Sequence, residues 1–284
     1  MKVYYVTYPA EKPWCSDFTA TNLAQHSTNT VIPATPREIN NARDSIIHFH
    51  NVQILGKKVW SLRYINHLHK NRNKVIVGLR GEHGKYRYDK ILWKADAIAT
   101  GVDPTLTEYA HSFNEHVHVL PPGEDPTLFK PMKIKNDAVL SWVGRDHKTY
   151  KHAEHLDRLG FTYKTATYNQ YIPHHDLPAF YNSTRICVGF SDYEGFWRPG
   201  LEAAMCGLPV IATDVGAVHS LVDKEYVIPV PASDHLNRYR QLIQGFLDDP
   251  ELSDEVGNNN RVRAHRYSWQ NVAPLYDKAW SETL

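Results

Sequence analysis

The chain has little of what marks disulfide-rich, metal-ligated or membrane-spanning proteins. Only three of its 284 residues are cysteines, and none are spaced as a Cys-x-x-Cys pair, which argues against a disulfide framework and a common zinc site. No apolar run approaches the roughly 20 residues that cross a bilayer, and the first residues lack the apolar core of a signal peptide. With 42% hydrophobic residues, these absences predict a globular cytoplasmic protein.

Short β-rich runs alternate with helical patterns along the whole chain. This alternation is typical of βα units around a parallel sheet. A Pro- and Gly-containing stretch after residue 120 separates two such series, so we predict domains at 1–133 and 134–284. The predicted strands lie near 2–7, 45–50, 74–78, 97–100, 116–120, 137–143, 186–190, 209–212 and 226–230. The predicted last helices span about 234–248, 251–265 and 268–282.

Residues 193–213 hold the most informative pattern. A buried strand at 186–190 leads through glycine-containing turns into a helix that ends at Gly207. Glu194 falls on the loop and Glu202 in the first turns of that helix. Two acceptor-only carboxylates at such a position suit a ligand rich in hydroxyls. The residues alone also fit a solvated loop glutamate and an ordinary acid near a helix N-terminus.

This run resembles the donor-site motif of the retaining glycosyltransferases of family four, in which seven residues separate two glutamates. The resemblance implies the GT-B fold: two Rossmann-like, doubly wound domains facing a cleft, with a last helix that packs on the first domain. It implies that Glu194 holds donor-sugar hydroxyls and that Glu202 binds the ribose. The backbone amides of Gly195, Phe196 and Trp197 would face the sugar and phosphates. Trp197 and the next residue stand where the family has glycine and a small or apolar residue.

A second element follows the predicted strand at 137–143. Gly144 ends the strand, and Arg145, Lys148 and Lys151 follow it. A glycine there lets a diphosphate approach, and the cations would offset charge on a leaving nucleotide. The stretch resembles the family's Gly-Arg…Lys pattern, with Arg145 and Lys151 as the matching cations, although His152 replaces the glycine that follows the lysine. Without the family, these residues read as exposed charges at a helix start.

The first domain resembles the family less closely. His50, at the end of the strand near 45–50, matches the family's catalytic-region histidine and would orient donor and acceptor; strand alternation alone also explains it. No glycine precedes Gly56, so the family's glycine pair in the first loop is missing and the domain reads as shortened. No Asp-x-Asp occurs, so we expect no metal and no cofactor, with a UDP- or GDP-sugar as donor substrate.

The acceptor is suggested by charge. Residues 1–133 carry 17 Lys and Arg against 12 Asp and Glu, whereas residues 134–284 carry 15 against 19. The excess predicts a polyanionic partner, either DNA with hydroxymethylated bases or an anionic membrane or lipid; a plain amphipathic surface helix at 56–71 is the simpler interpretation. An epimerase or an inactive sugar-nucleotide binder remains an alternative to a transferase. The candidate basic residues are Lys57, Lys58, Arg63, Lys70 and Arg80.

Overall fold

The computed structural model describes residues 1–8, 15–56, 59–81, 88–145 and 148–284. These residues form two compact units. The first combines Met1–Gly123 with Trp269–Leu284, and the second is Glu124–Ser268. Each unit is built on a parallel β-sheet with helices in its connections. The predicted α/β class with two Rossmann-like domains is confirmed.

The sheet of the first unit consists of parallel strands. They are β1 (Lys2–Val6), β2 (Thr30–Ala34), β3 (Ile46–Phe49), β4 (Lys74–Leu79), β5 (Ala97–Thr100) and β6 (Val117–Val119). Their order is β2-β1-β3-β4-β5-β6. All four residues of β3 are buried, as expected for a central strand covered on both faces. In β4, Gly78 has no room for a Cβ, because the carbonyl oxygen of His50 would lie 2.0 Å from it.

Helices connect these strands. They are α1 (Cys15–His26), α2 (Val59–Lys70), α3 (Asp89–Leu92) and α4 (Pro104–His111). In α2, Ile65 and Leu68 are buried while Arg63 is exposed, so the predicted amphipathic pattern sets which face packs on the sheet. Asp103 caps α4 by accepting a hydrogen bond from the Thr105 amide, which satisfies one of the unpaired N–H groups at the helix start.

The second unit repeats the design. Its strands are β7 (Ala138–Val143), β8 (Tyr163–Ala166), β9 (Thr184–Gly189), β10 (Val210–Thr213) and β11 (Val227–Ile228), in the order β11-β10-β9-β7-β8. Its helices are α5 (His155–Leu159), α6 (Leu177–Asn182), α7 (Arg198–Met205), α8 (Val218–Leu221), α9 (Leu236–Asp248) and α10 (Pro250–Ala264). Because β7 and β9 are adjacent and parallel, the loops that follow them leave the same edge of the sheet, where ligands of doubly wound folds bind.

The last helix, α11 (Trp269–Glu282), belongs to the first unit. Its Trp280 indole N–H donates to Nδ1 of the buried His48 at 3.0 Å. Its Asp277 carboxylate accepts from the Thr28 amide at 2.8 Å and from the Asn29 side chain at 2.9 Å. These contacts join the helix to both the core and a loop of the first unit, although it follows the second unit in sequence.

The structure differs from the sequence interpretation at a boundary and at two strands. The first unit ends at Gly123, before the predicted boundary at 133. Residues 124–133 fold with the second unit because Phe129 is fully buried there, with its ring 5.1 Å from that of His174. Strands β2 and β8 were not predicted. Both lie at sheet edges, where a partly exposed strand needs no continuous apolar run.

The helices and two of the cysteines can be compared with the expectations from composition. Among the described residues, the helices are too short or too polar to cross a membrane. Cys187 and Cys206 are buried free thiols. Burial raises the pKa of Cys187 to about 12, so this side chain stays a neutral thiol and acts as a small core residue.

Candidate active site

Lys151 and Glu194 are brought together from positions 43 residues apart. The lysine follows β7 and the glutamate follows β9. The Lys151 ammonium group donates to Oε1 of Glu194, and the Ser191 hydroxyl donates to the same oxygen at 2.8 Å. The two side chains are only 12% and 15% exposed. A nearly buried ion pair therefore lies at the sheet edge where the sequence predicted a donor site.

A pair of aromatic rings borders this ion pair. Tyr150 and Tyr193 stack with centroids 4.3 Å apart, and the Lys151 ammonium lies 5.6 Å from the Tyr150 ring centroid. Burial and then the charge of Glu194 raise the pKa of Tyr150 to about 12, while Arg145 acts in the opposite direction. The phenol thus stays protonated and can donate a hydrogen bond at neutral pH.

The predicted cations differ in their placement. Arg145 is exposed and close enough to Tyr150 to influence its ionisation, and Lys148 is half-buried just before a short 3₁₀-helix at Thr149–Lys151. Gly144 is buried, and the Trp142 ring would lie 2.9 Å from a Cβ at this position. A Cβ at this position would therefore crowd the Trp142 indole, a reason for glycine that the strand pattern did not indicate.

Trp197 begins helix α7 in an unusual backbone conformation. Its φ is +66°, in the left-handed region that favours glycine, which is the residue found there in the family the sequence resembles. Its buried indole fills the space beside two glycines: a Cβ on Gly189 or Gly200 would lie 2.4 or 2.2 Å from the ring. The large side chain thus compensates by packing for a conformation that costs about 1–3 kcal/mol.

Three consecutive backbone N–H groups lie just before the first residue of helix α7. Within the described part of the chain, the backbone amides of Gly195, Phe196 and Trp197 donate to no other group. The Phe196 carbonyl accepts from the Ala217 amide at 3.0 Å, and its ring packs edge-on against Tyr267. The segment is held from behind while its N–H groups remain available to an anion.

Glu202 lies on α7 with a side chain only 7% exposed. The Tyr181 hydroxyl donates to Oε2 at 2.8 Å. Oε1 lies 3.8 Å from Nε of Arg198, beyond hydrogen-bond distance. Burial, and secondarily the charge of Glu124, raise the pKa of Glu202. One oxygen of this carboxylate is therefore fixed by the protein, and the other faces a guanidinium without a direct hydrogen bond to it.

Arg198 joins Glu202 to a second buried carboxylate. Its Nη2 donates to Oε2 of Glu124 at 2.5 Å, and His174 lies 3.2 Å from the same oxygen. Burial alone would raise the pKa of Glu124, but Arg198 and then His174 outweigh it and the pKa is lowered. Glu124, His174 and Glu202 have the geometry of a metal-ligand set; the guanidinium already supplies the positive charge there.

His50 follows β3 in the first unit, at the strand's carboxyl end as predicted. Its Nδ1 is 2.8 Å from the Tyr5 hydroxyl, and its backbone amide donates to the Val6 carbonyl. The side chain is half-buried. Tyr5 is fully buried, and burial raises the pKa of its phenol well above the usual value. A neutral tyrosine therefore orients the imidazole.

Arg80 does not lie on an open basic surface as the sequence predicted. Arg80 is half-buried and donates to the carbonyls of Thr100 and Leu120 and to the Tyr276 hydroxyl. These bonds hold β4, the end of β5 and α11 together, so its charge is not offered to a partner. Of the other predicted basic residues, Arg63 and Lys70 are exposed on α2. Lys57 and Lys58 lie outside the described residues.

Sequence reasoning missed the partners of Glu202. The i,i+4 spacing of Arg198 and Glu202 is a local signal that indicates an ion pair on one helix. Glu124, His174 and Tyr181 have no such signal, because they reach the cluster from a linker, a 3₁₀-helix and α6, and only the fold brings them together.

Part of the chain matches a known family. Residues 127–249 match the family model described as Glycosyl transferases group 1, and this segment contains Lys151, Glu194 and Glu202. The MMP alpha-(1->4)-mannosyltransferase of Mycolicibacterium hassiacum is 26% identical over 212 residues, covering 61% of this chain and 51% of that protein. The chain thus spans about half the length of this curated relative. The part of the second unit that carries Lys151, Glu194 and Glu202 is therefore similar to glycosyltransferase group 1 domains.

Solved structures resemble the whole chain. Sucrose-phosphate synthase from Thermosynechococcus elongatus has a TM-score of 0.74 at 16% identity, covering 99% of this chain and 98% of that one. Anabaena HepE in complex with UDP-glucose has a TM-score of 0.74 at 13% identity, covering 99% of this chain and 100% of that one. At these identities the likeness shows the fold alone: two parallel-sheet, Rossmann-like domains of the GT-B type.

Proposed function

We propose that this protein is a retaining, metal-independent glycosyltransferase that moves a sugar from a nucleoside-diphosphate sugar to a hydroxyl acceptor. The observation that carries the proposal is the Lys151–Glu194 ion pair at the adjoining ends of β7 and β9. Both residues lie in the segment that matches the glycosyltransferase group 1 model. An ammonium beside a carboxylate provides one group for phosphate and one for sugar hydroxyls.

Glu194 and the neighbouring amides would hold the sugar. Its Oε2 carries no hydrogen bond among the described residues, whereas Oε1 is occupied by Lys151 and Ser191. Oε2 can accept from two sugar hydroxyls, as a carboxylate oxygen has two lone pairs. The N–H groups of Gly195, Phe196 and Trp197 would donate to the adjoining phosphate.

Lys151 and Arg145 would neutralise the leaving nucleotide, with Lys148 as a further candidate. Charge accumulates on the diphosphate as the glycosidic bond breaks, and cations fixed beforehand stabilise that state without reorganising. The chain has no Asp-x-Asp sequence to hold a bridging metal. We therefore assign charge neutralisation to side chains and backbone amides, with the leaving phosphate accepting the acceptor's proton on the face from which it departs.

Glu202 would bind a ribose hydroxyl through Oε1. Tyr181 holds Oε2, so the carboxylate is oriented before the nucleotide arrives. Preorganisation of this kind strengthens binding because less side-chain freedom is lost in the complex. HepE was crystallised with UDP-glucose, and that protein's ligand makes UDP-sugars the first donors to test here, followed by GDP-sugars.

The acceptor side would use His50 and the exposed basic residues of the first unit. His50, oriented by Tyr5, can hydrogen-bond donor or acceptor. Arg63 and Lys70 remain as exposed cations for a polyanionic acceptor, either DNA with modified bases or an anionic lipid surface. A band shift on duplex DNA that salt abolishes would support the first, and flotation with anionic vesicles would support the second; if neither occurs, the polyanion part of the proposal is wrong.

Donor hydrolysis provides the test of the transferase assignment. We expect slow release of UDP or GDP from one of the matching sugar nucleotides, reduced about 100-fold or more in Lys151→Ala and Glu194→Gln. Lys164→Ala is the matched control, because it breaks an exposed Lys164–Asp137 pair in the same unit. Equal hydrolysis in all variants would contradict the proposal. Epimer formation without acceptor would favour an isomerase, and nucleotide binding without turnover an inactive binder.

A further inference from the structure

A second group of ionisable side chains lies just beyond Lys151. His152, Glu154 and His155 each offer a ligand atom, and these atoms lie within 4.8 Å of one another. His152 Nδ1 is 3.0 Å from Oε1 of Glu154, and its Nε2 is 2.8 Å from Oδ2 of Asp192. The rings of His152 and His155 are nearly parallel, with an interplanar angle of 7° and centroids 5.2 Å apart.

The buried imidazole of His155 is the feature that indicates a ligand. The residue is only 4% exposed, and neither ring nitrogen has a hydrogen-bond partner among the residues the structure describes. A buried polar group without a partner costs about 1–3 kcal/mol, and native proteins rarely leave one so. Phe190 packs edge-on against one side of the ring and His152 stacks on another. The imidazole thus lies beside the other ligand atoms, and among the described residues neither of its ring nitrogens is hydrogen-bonded.

His152 adopts a backbone conformation that favours glycine. Its φ is +50°, in the left-handed region where a non-glycine residue costs roughly 1–2 kcal/mol. The family that the sequence resembles has glycine at this position. An imidazole here places one ring nitrogen against each of two carboxylates, Glu154 and Asp192, which a glycine would leave unpaired.

The group of ligand-type side chains around Glu202 differs from the one around His152. Glu124, His174 and Glu202 also place their ligand atoms within 4.8 Å of one another, but Arg198 donates to Glu124 among them. Around His152, the described ion pairs join its imidazole to the carboxylates of Glu154 and Asp192, and its ring stacks on that of His155. Among the described residues, no guanidinium lies between these carboxylates as Arg198 does in the other group, although the charge of Arg158 reaches His155.

We propose that His152, Glu154 and His155 bind one divalent transition-metal ion of the zinc type. Two imidazoles and one carboxylate are preferred by zinc and its neighbours over magnesium or calcium, which select oxygen ligands. Two ligands at about 2.0–2.1 Å from a tetrahedral ion are about 3.3 Å apart, close to the 3.0 Å between His152 Nδ1 and Glu154 Oε1. A small shift of the His155 ring completes the set, and water takes the fourth position.

Asp192 would orient the first ligand. Metal-binding histidines usually donate their other N–H to a carboxylate, which fixes the ring, and Asp192 stands in that place on Nε2 of His152. The Asp192 backbone amide also donates to the Tyr150 carbonyl at 3.0 Å. A bound ion would therefore tie the segment carrying Lys151 to the loop that leads to Glu194, whether or not sugar transfer occurs.

Zinc binding to the full chain tests this site. After dialysis against a chelator and its removal, we expect titration with ZnCl₂ to show one tight site per chain. Its affinity should fall at least tenfold in His152→Gly and Glu154→Gln, and about 10- to 100-fold in Asp192→Asn. His152→Gly introduces a residue that readily adopts φ = +50°, so we expect the variant to fold. Circular dichroism verifies this.

His219→Ala is the matched control. It removes an exposed histidine that pairs with Asp214 at 2.8 Å and resembles the His152–Asp192 pair without a second imidazole. It should leave the tight site unchanged, and Co²⁺ should give visible absorption of a four-coordinate site in the wild type but not in His152→Gly. No tight site in the wild type, or equal affinity in wild type, His152→Gly and Glu154→Gln, would overturn the proposal.

Discussion

Replacing Arg198 by methionine should destabilise the second unit strongly. The substitution keeps an unbranched apolar stem and removes the guanidinium that lies between Glu124 and Glu202. The Glu124 side chain is 1% exposed, that of Glu202 7% and that of Arg198 11%. Two carboxylates would then be buried together, with the His174 imidazole, the Tyr181 hydroxyl and the Asp125 backbone N–H beside them.

The expected loss is about 3–5 kcal/mol of unfolding free energy, the usual result of removing one partner of a buried ion pair. An exposed pair would lose at most about 1 kcal/mol. Arg198→Met combined with Glu124→Gln should recover part of the loss, because the double variant buries one carboxylate fewer. The coupling between the two substitutions should lie at about 1–3 kcal/mol.

The loss should also depend on pH. Without the guanidinium, burial and mutual repulsion raise the pKa of both carboxyls in the folded state above the unfolded value of about 4.3. The folded variant then binds more protons than the unfolded chain, so its stability falls as pH rises. The deficit relative to wild type should therefore be larger at pH 8 than at pH 5.

Hydrogen exchange of peptides from α7 under increasing urea measures this stability in the second unit specifically. Arg238→Met is the control, since Arg238 is exposed and donates to the Glu225 carbonyl at the long distance of 3.4 Å, and it should change stability by less than about 0.5 kcal/mol. A deficit for Arg198→Met below 1 kcal/mol at pH 8, or one of equal size at pH 5, would refute the account of a buried, charge-compensated cluster.

Three other substitutions test the packing and hydrogen bonds of each unit. Gly189→Ala should cost about 1–3 kcal/mol in denaturant unfolding, because its Cβ would meet the Trp197 indole,; a neutral result would mean that the indole moves freely. Tyr5→Phe should lower stability by about 1 kcal/mol and reduce turnover more than donor affinity, since it releases His50; unchanged kinetics would remove His50 from the mechanism. Burial alone would raise the pKa of Asp277, but hydrogen bonds from residues 27–29 lower it, so its stabilising effect is present above pH 4 and lost on acidification. Asp277→Asn should therefore flatten the acid limb of the first unit's stability, and an unaltered pH profile would count against that assignment.

The sequence predicted the central strands and last helices well because they carry strong local patterns. Short, mostly apolar runs mark β3 and the second half of β9, and α9 and α11 follow the 3.6-residue period,. The edge strands β2 and β8 have weak patterns, since one side of each is not paired. The boundary was placed late because the burial of Phe129 depends on partners some 50 residues away.

The identity of the candidate site residues was predicted from the sequence, but their contacts were not. Glu194, Glu202 and Lys151 were assigned from the resemblance to the glycosyltransferase family, and the predicted strands explain why they lie close, since the carboxyl ends of parallel strands meet at one sheet edge. That Lys151 bonds to Glu194, and that Tyr181 fixes Glu202, depends on strand order and side-chain rotamers, which no local pattern contains. Arg80 was assigned to the surface because positive charge is usually solvated; in the structure it is half-buried and donates to the Thr100 and Leu120 carbonyls.

The amino-acid sequence by itself determined the α/β class and the placement of a carboxylate and a lysine at the ends of two strands, because hydrophobic periodicity and turn residues act over a few positions. Only the tertiary structure decided which groups pair with the buried charges. Arg198 with Glu124, and Arg80 with the carbonyls beneath α11, are contacts between distant segments. Their strength depends on exclusion of water, and that exclusion exists only once the chain has folded.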